Sequence, residues 1–138
     1  MNSLKVGFSK VNINPPLGIF VAGYFIDRYA KGFLDDLEAE VIALSCKDKK
    51  IAVISVDILN IAAPLSNRIR MSIEKATGVS KNCIFLVATH THTGPRASLE
   101  EQFYSQEIIA NYTDFLEQRI VDAVTMAFYD LKPAWLKK

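Results

Sequence analysis

Between Ile51 and Ala88 the chain alternates strand, helix and strand, and few arrangements accept that order. Ile51 to Ile58 (Ile-Ala-Val-Ile-Ser-Val-Asp-Ile) is an apolar, β-branched run of the kind that makes a buried strand. Pro64 then opens a segment with Leu65, Ile69, Ile73 and Ala76 on one face, and Gly78 follows its end. Proline near the start and glycine past the end frame an amphipathic helix of about three turns, over 64–77. Cys83 to Ala88 resumes as an apolar strand. A β-α-β crossover is right-handed in ~98% of cases and lays its two strands parallel.

The flanks extend this unit without repeats, low-complexity stretches or linkers. Leu4 to Phe8 reads as a first strand, and Asn14-Pro15-Pro16-Leu17-Gly18 opens a loop-rich region that runs to about Asp36. Ala39 to Cys46 is strand-like and pairs with Ile51 to Ile58 as an antiparallel hairpin, with Lys47-Asp48-Lys49-Lys50 as its solvated tip. Ile109, Tyr112, Leu116, Ile120, Ala123, Ala127 and Leu131 recur at helical spacing until Pro133. They predict a long helix over 105–131 packed on the sheet. The fold class is α/β: a mixed sheet with a hairpin and a right-handed β-α-β unit, flanked by amphipathic helices, in a single domain over 1–138.

Ala88-Thr89-His90-Thr91-His92-Thr93-Gly94-Pro95 follows the last strand and holds the only two histidines of 138 residues. In an extended segment residues two apart share a face. His90 and His92 then point one way, and Thr89, Thr91 and Thr93 the other. Two imidazoles side by side offer two nitrogen ligands to zinc, or one ligand and a proton-transfer group. A polar loop that happens to carry both is the plainer reading, and spacing alone leaves the two open. In open α/β sheets ligands bind outside the carboxyl ends of parallel strands. Both histidines fall there, and so does Asp57. An aspartate in an apolar run is costly unless something satisfies it. Asp57 either joins the histidines as a catalytic carboxylate or caps the loop before Pro64.

Composition removes several classes. The length supports one domain with a sizeable core. Half the residues are hydrophobic and the formal net charge is +1, against disorder and against electrostatic nucleic-acid binding. Cys46 and Cys83 lie in apolar runs without zinc-motif spacing and are expected to be reduced. Met1-Asn2-Ser3-Leu4-Lys5 lacks the apolar core of a secretory signal, and no stretch reaches transmembrane length. A cytoplasmic location is expected, or a secreted one if a leader is missing.

The histidine motif resembles that of the neutral/alkaline (non-lysosomal) ceramidases, whose Ala-Thr-His-Thr-His-Ser-Gly-Pro signature is matched here with Thr93 for serine. Val6-Gly7 and Ile13-Asn14-Pro15-Pro16-Leu17-Gly18 are similar to that family's opening, and Ala22-Gly23-Tyr24 to its next turn. Asp35 to Leu44 and Ser55-Val56-Asp57 look like its first two core strands. Leu131-Lys132-Pro133-Ala134 looks like the end of its long helix. The resemblance covers all of this chain but only the first part of a family catalytic domain. It implies a zinc amidase that splits ceramide into sphingosine and fatty acid. By the same resemblance His90 binds zinc, and His92 sits beside the metal as a hydrogen-bonding or proton-handling group. Zinc lowers the pKa of bound water towards ~7 and polarises the amide carbonyl.

This chain also departs from the family pattern. The other zinc ligands, a second histidine, a glutamate and a tyrosine, come later in a much longer chain, and no histidine follows His92 here. The Gly-Asp-Val-Ser-Pro-type segment is absent, and Leu34 and Glu40 stand where relatives tend to carry histidine and arginine. Two further readings stand beside the ceramidase-like hydrolase. One is a short relative that binds or assembles without catalysis. The other is an unrelated metallohydrolase using His90, His92 and a carboxylate, though Thr93-Gly94 after the second histidine argues against the His-x-His-x-Asp type. The expected partners are a lipid-like amide and a second copy of the chain. The sequence stops where the family begins another strand, which would leave an apolar face or a strand edge open.

Overall fold

The computed structural model describes residues 4–97 and 106–137. Five strands form one mixed sheet: β1 (Leu4–Asn12), β2 (Glu38–Cys46), β3 (Lys49–Val56), β4 (Ile84–Ala88) and β5 (Lys132–Ala134), in the order β4-β3-β2-β1-β5. β3 and β4 are parallel, and the other neighbours are antiparallel. The connection from β3 to β4 is α1 (Ala63–Thr77) with a short 3-10 turn at Lys81–Cys83. α2 (Gln106–Tyr129) crosses β1 and β2 beside α1. The expected α/β class, hairpin and β-α-β unit are all present.

Several boundaries move for identifiable reasons. β1 continues four residues past Phe8, because Ser9 turns its hydroxyl to the Ala123 carbonyl (2.6 Å) and Val11 reaches the core. The hairpin tip is two residues, not four. Lys47 takes a left-handed φ of 52°, and Lys49 and Lys50 already belong to β3. Ala76 is exposed, so the buried face of α1 is Leu65, Ile69 and Ile73. α2 stops at Tyr129, and Lys132–Ala134 pairs with Leu4–Val6 as an edge strand instead of extending the helix. Pro133 can occupy such an edge because it need not donate to the ladder. The first residue of the 105–131 helix lies outside the described residues.

Both helices cover the same face of the sheet. Val11, Ala39, Val41, Ala43, Ala52, Ile54, Val56 and Ile84 pack there against Leu65, Ile69, Ile73, Tyr112, Leu116, Ile120 and Ala127. Tyr112 is the one fully buried aromatic ring among the described residues, and its hydroxyl donates to the Ile13 carbonyl at 2.8 Å. Burial pushes its phenol up, so it remains a donor. Cys46 and Cys83 are half-buried and free. No helix among the described residues is long and apolar enough to cross a membrane.

Candidate functional site

The parallel pair ends at Val56 and Ala88, and the ladder is carried one step further by the Thr89 N–H donating to the Val56 carbonyl (2.9 Å). The strand does not run on through the histidines. His90 turns into the left-handed region at φ 62°, and Thr91 to Gly94 form a turn. The histidines nevertheless meet, with ring centroids 5.0 Å apart. The expectation of neighbouring rings holds, but a turn produces it and not strand alternation. Thr91 and Thr93 also pair, with their hydroxyls 2.9 Å apart.

A non-glycine residue at positive φ costs of order 1–3 kcal/mol and persists only where its surroundings fix it. The surroundings of His90 are visible. Its Nδ1 lies 2.9 Å from the Leu59 carbonyl. A carbonyl only accepts, so in the neutral ring Nδ1 is the nitrogen that carries the proton and Nε2 the one with the lone pair. The chain beyond is held on both sides. Ala22 N–H donates to the Gly94 carbonyl, Leu59 N–H to that of Pro95, and Ala62 N–H to that of Ala97.

His92 is cradled by the loop-rich region, at the Ala22-Gly23-Tyr24 turn that resembles the family's. The segment from Gly18 to Ala30 folds back on itself through the Gly18–Ala30, Ile19–Ala30 and Val21–Arg28 backbone hydrogen bonds. Its tip places Gly23 under His92, where a Cβ would meet the ring at 2.6 Å. Tyr24 sits edge-on to the ring with centroids 6.0 Å apart, and Arg28 stacks on Tyr24 at 3.6 Å. The Arg28 Nη2 donates to the His92 carbonyl at 2.8 Å. Asn14 staples the base of this loop, accepting from Leu37 N–H and donating to Asp36. Glycine punctuation marked Gly23, but Arg28 had no signal, since its partners lie 4 and 64 residues away.

Asp57 shares the edge but is engaged with backbone. Its carboxylate accepts from Glu38 N–H at 3.0 Å, and its own N–H donates to the Glu38 carbonyl at 2.9 Å, tying β3 to the start of β2. Among the described residues no group of three or more His, Cys, Asp or Glu is placed to hold a metal. The donor chemistry suits zinc at His90, where a backbone carbonyl fixes the tautomer as it commonly does behind a metal-bound imidazole. A closed tetrahedral site needs donors beyond these two rings. Leu34 is fully exposed, and Glu40 points to the uncovered face of the sheet.

The class these features define is a one-sided α/β sheet with a histidine loop at the carboxyl edge of its parallel pair. Among solved structures the chain is similar to neutral ceramidase from Pseudomonas aeruginosa, with a TM-score of 0.77 at 18% identity over 96% of this chain. It is also similar to a ceramidase complexed with C2, with a TM-score of 0.75 at 17% identity over 96% of this chain. It spans 22% of the length of each. The likeness is one of fold, and it falls on the family that the histidine motif resembles. No family model matches the sequence, and no curated protein matches it.

Proposed function

We propose that the chain forms the histidine edge of a ceramidase-like zinc amidase acting on a lipid-like amide such as an N-acyl sphingosine. The observation that carries this reading is the His90 Nδ1 contact to Leu59, which leaves Nε2 free with His92 alongside. His90 would hold the metal as one ligand of a larger set. Zinc, when bound, supplies Lewis-acid polarisation of the amide carbonyl and an acidified water. His92, exposed and oriented by Gly23, Tyr24 and Arg28, is the group that takes up and returns a proton at the scissile amide. Asp57 supports them by locking the ends of β2 and β3. The fold likeness to ceramidase structures supports the choice of substrate class. Self-association of the chain belongs to this reading as well.

The test is zinc content and hydrolysis of a short-chain N-acyl sphingosine, measured in the longest version of the gene product. His90→Ala should abolish metal content. His92→Ala should spare the metal and cut turnover by ~10²–10⁴-fold, as for loss of a general acid–base group. Full metal content and activity in both variants would overturn the reading and leave a polar loop.

A further inference from the structure

The loop over 18–30 closes through its own backbone. Gly18 N–H donates to the Ala30 carbonyl, Ala30 N–H to that of Ile19, and Val21 N–H to that of Arg28. The Val21–Pro95 bridge and the hydrogen bond from Ala22 N–H to Gly94 then join it to the histidine segment. The Arg28 side chain takes no part in this closure. Its guanidinium carbon lies 3.6 Å from the Tyr24 ring centroid, and its Nη2 donates to the His92 carbonyl. Among the described residues no carboxylate pairs with it, and its Nε is buried without a hydrogen-bond partner. A buried donor left unmet costs stability, so such a group in a native structure points to a role outside stability.

We propose that Arg28 is a positioning residue, kept at a cost to the fold because it fixes the His92 ring beside the scissile amide. This rests on the role given to His92 above and adds how its ring is held. The His90 ring is anchored on the Leu59 carbonyl, while the His92 ring makes no hydrogen bond among the described residues. Packing has to hold it. Gly23 lies against the ring, and Tyr24 and His90 sit edge-on to it with centroids 6.0 and 5.0 Å away.

Arg28 ties this packing to the backbone that carries the ring. It covers the face of Tyr24 and grips the carbonyl of His92. Tyr24 and His92 therefore cannot part without breaking a stack or a hydrogen bond. A planar guanidinium makes both contacts at a fixed angle, whereas lysine is a point charge on a flexible stem and sets no angle between them. The angle matters for chemistry, because a misplacement of about 1 Å at reacting groups costs ~10²-fold in rate.

Arg28→Met, which keeps an unbranched stem and loses the charge and the donors, is the test, with Arg28→Lys beside it. Urea unfolding and the ring resonances of the two histidines are read in the chain itself, each resonance assigned by replacing the other histidine. Turnover of the short-chain N-acyl sphingosine is read in the longest version of the gene product. Arg28→Met should unfold at a urea midpoint no lower than wild type, shift the His92 resonance and leave that of His90 in place. Its kcat should fall by roughly 10–10²-fold with KM within about twofold, since positioning acts on the transition state more than on binding. Zinc content should not change. Arg28→Lys should recover neither kcat nor the His92 resonance. A lower midpoint with both resonances moved together makes Arg28 a structural staple and overturns the proposal. So does an unmoved His92 resonance, or full recovery by lysine. A wild-type gene product without zinc or turnover sinks the hydrolase reading alone, because the midpoint and the resonances still decide whether Arg28 holds the His92 ring.

Discussion

At the scale of single residues, Gly7 and Gly23 are positions of the ceramidase resemblance where a side chain is physically excluded, and His90 is one where the backbone bends. Gly23 has a φ of 96° and lies against the His92 ring. Gly23→Ala therefore meets two obstacles, backbone strain and a Cβ inside contact distance of the imidazole. We expect a loss of ~1–3 kcal/mol in denaturant unfolding, together with a shifted His92 ring resonance and an unperturbed His90. Equal stability with both resonances unchanged would show that the loop is not the cradle described. The histidines themselves were legible as a pair in the sequence. The reason for their meeting was not, because a left-handed histidine leaves no mark in the residue pattern. Asp57 was legible as a misfit in an apolar run. Its partner, the Glu38 backbone, is a main-chain group that sequence never displays.

At the scale of elements, the sheet and helices meet at distances set by the smallest residues. A Cβ on Gly7 would come within 1.9 Å of the Ala127 carbonyl. Backbone of α2 and backbone of β1 are in contact there, and neither end is a flexible side chain that can swing away. Gly7→Ala should cost at or above the ~3 kcal/mol that marks severe overpacking, read as a lower urea midpoint. α1 should remain protected from hydrogen exchange while α2 loses protection. Uniform loss of protection would instead mean that the two helices fold as one unit. α1 was readable end to end, since Pro64 and Gly78 bracket it and Gly78 takes the left-handed φ of 70° that closes the helix. β5 was not readable. Three residues holding a proline look like a helix stop, and only the antiparallel ladder with Leu4–Val6 makes them a strand.

At the scale of the whole molecule, the same sequence property explains both what was clear and what was hidden. β3 carries Ala52, Ile54 and Val56 towards the helices and Ile51 and Val53 away from them. A strand apolar on both faces reads as buried on both, and the pattern cannot say which neighbour does the covering. Among the described residues, helices cover one face. The other remains a platform of aromatic and aliphatic side chains bordered by Lys10 and Glu40, and removing such a surface from water drives association. The chain by itself should therefore raise the fluorescence of a hydrophobic dye, with far-UV circular dichroism verifying the fold. Ile42→Lys sets a charge within the platform and should lower that fluorescence without altering the sheet–helix core. Where the chain self-associates through this face, dilution should raise the fluorescence per chain. A wild-type signal no higher than that of Ile42→Lys at every dilution would mean that the platform is not open to water.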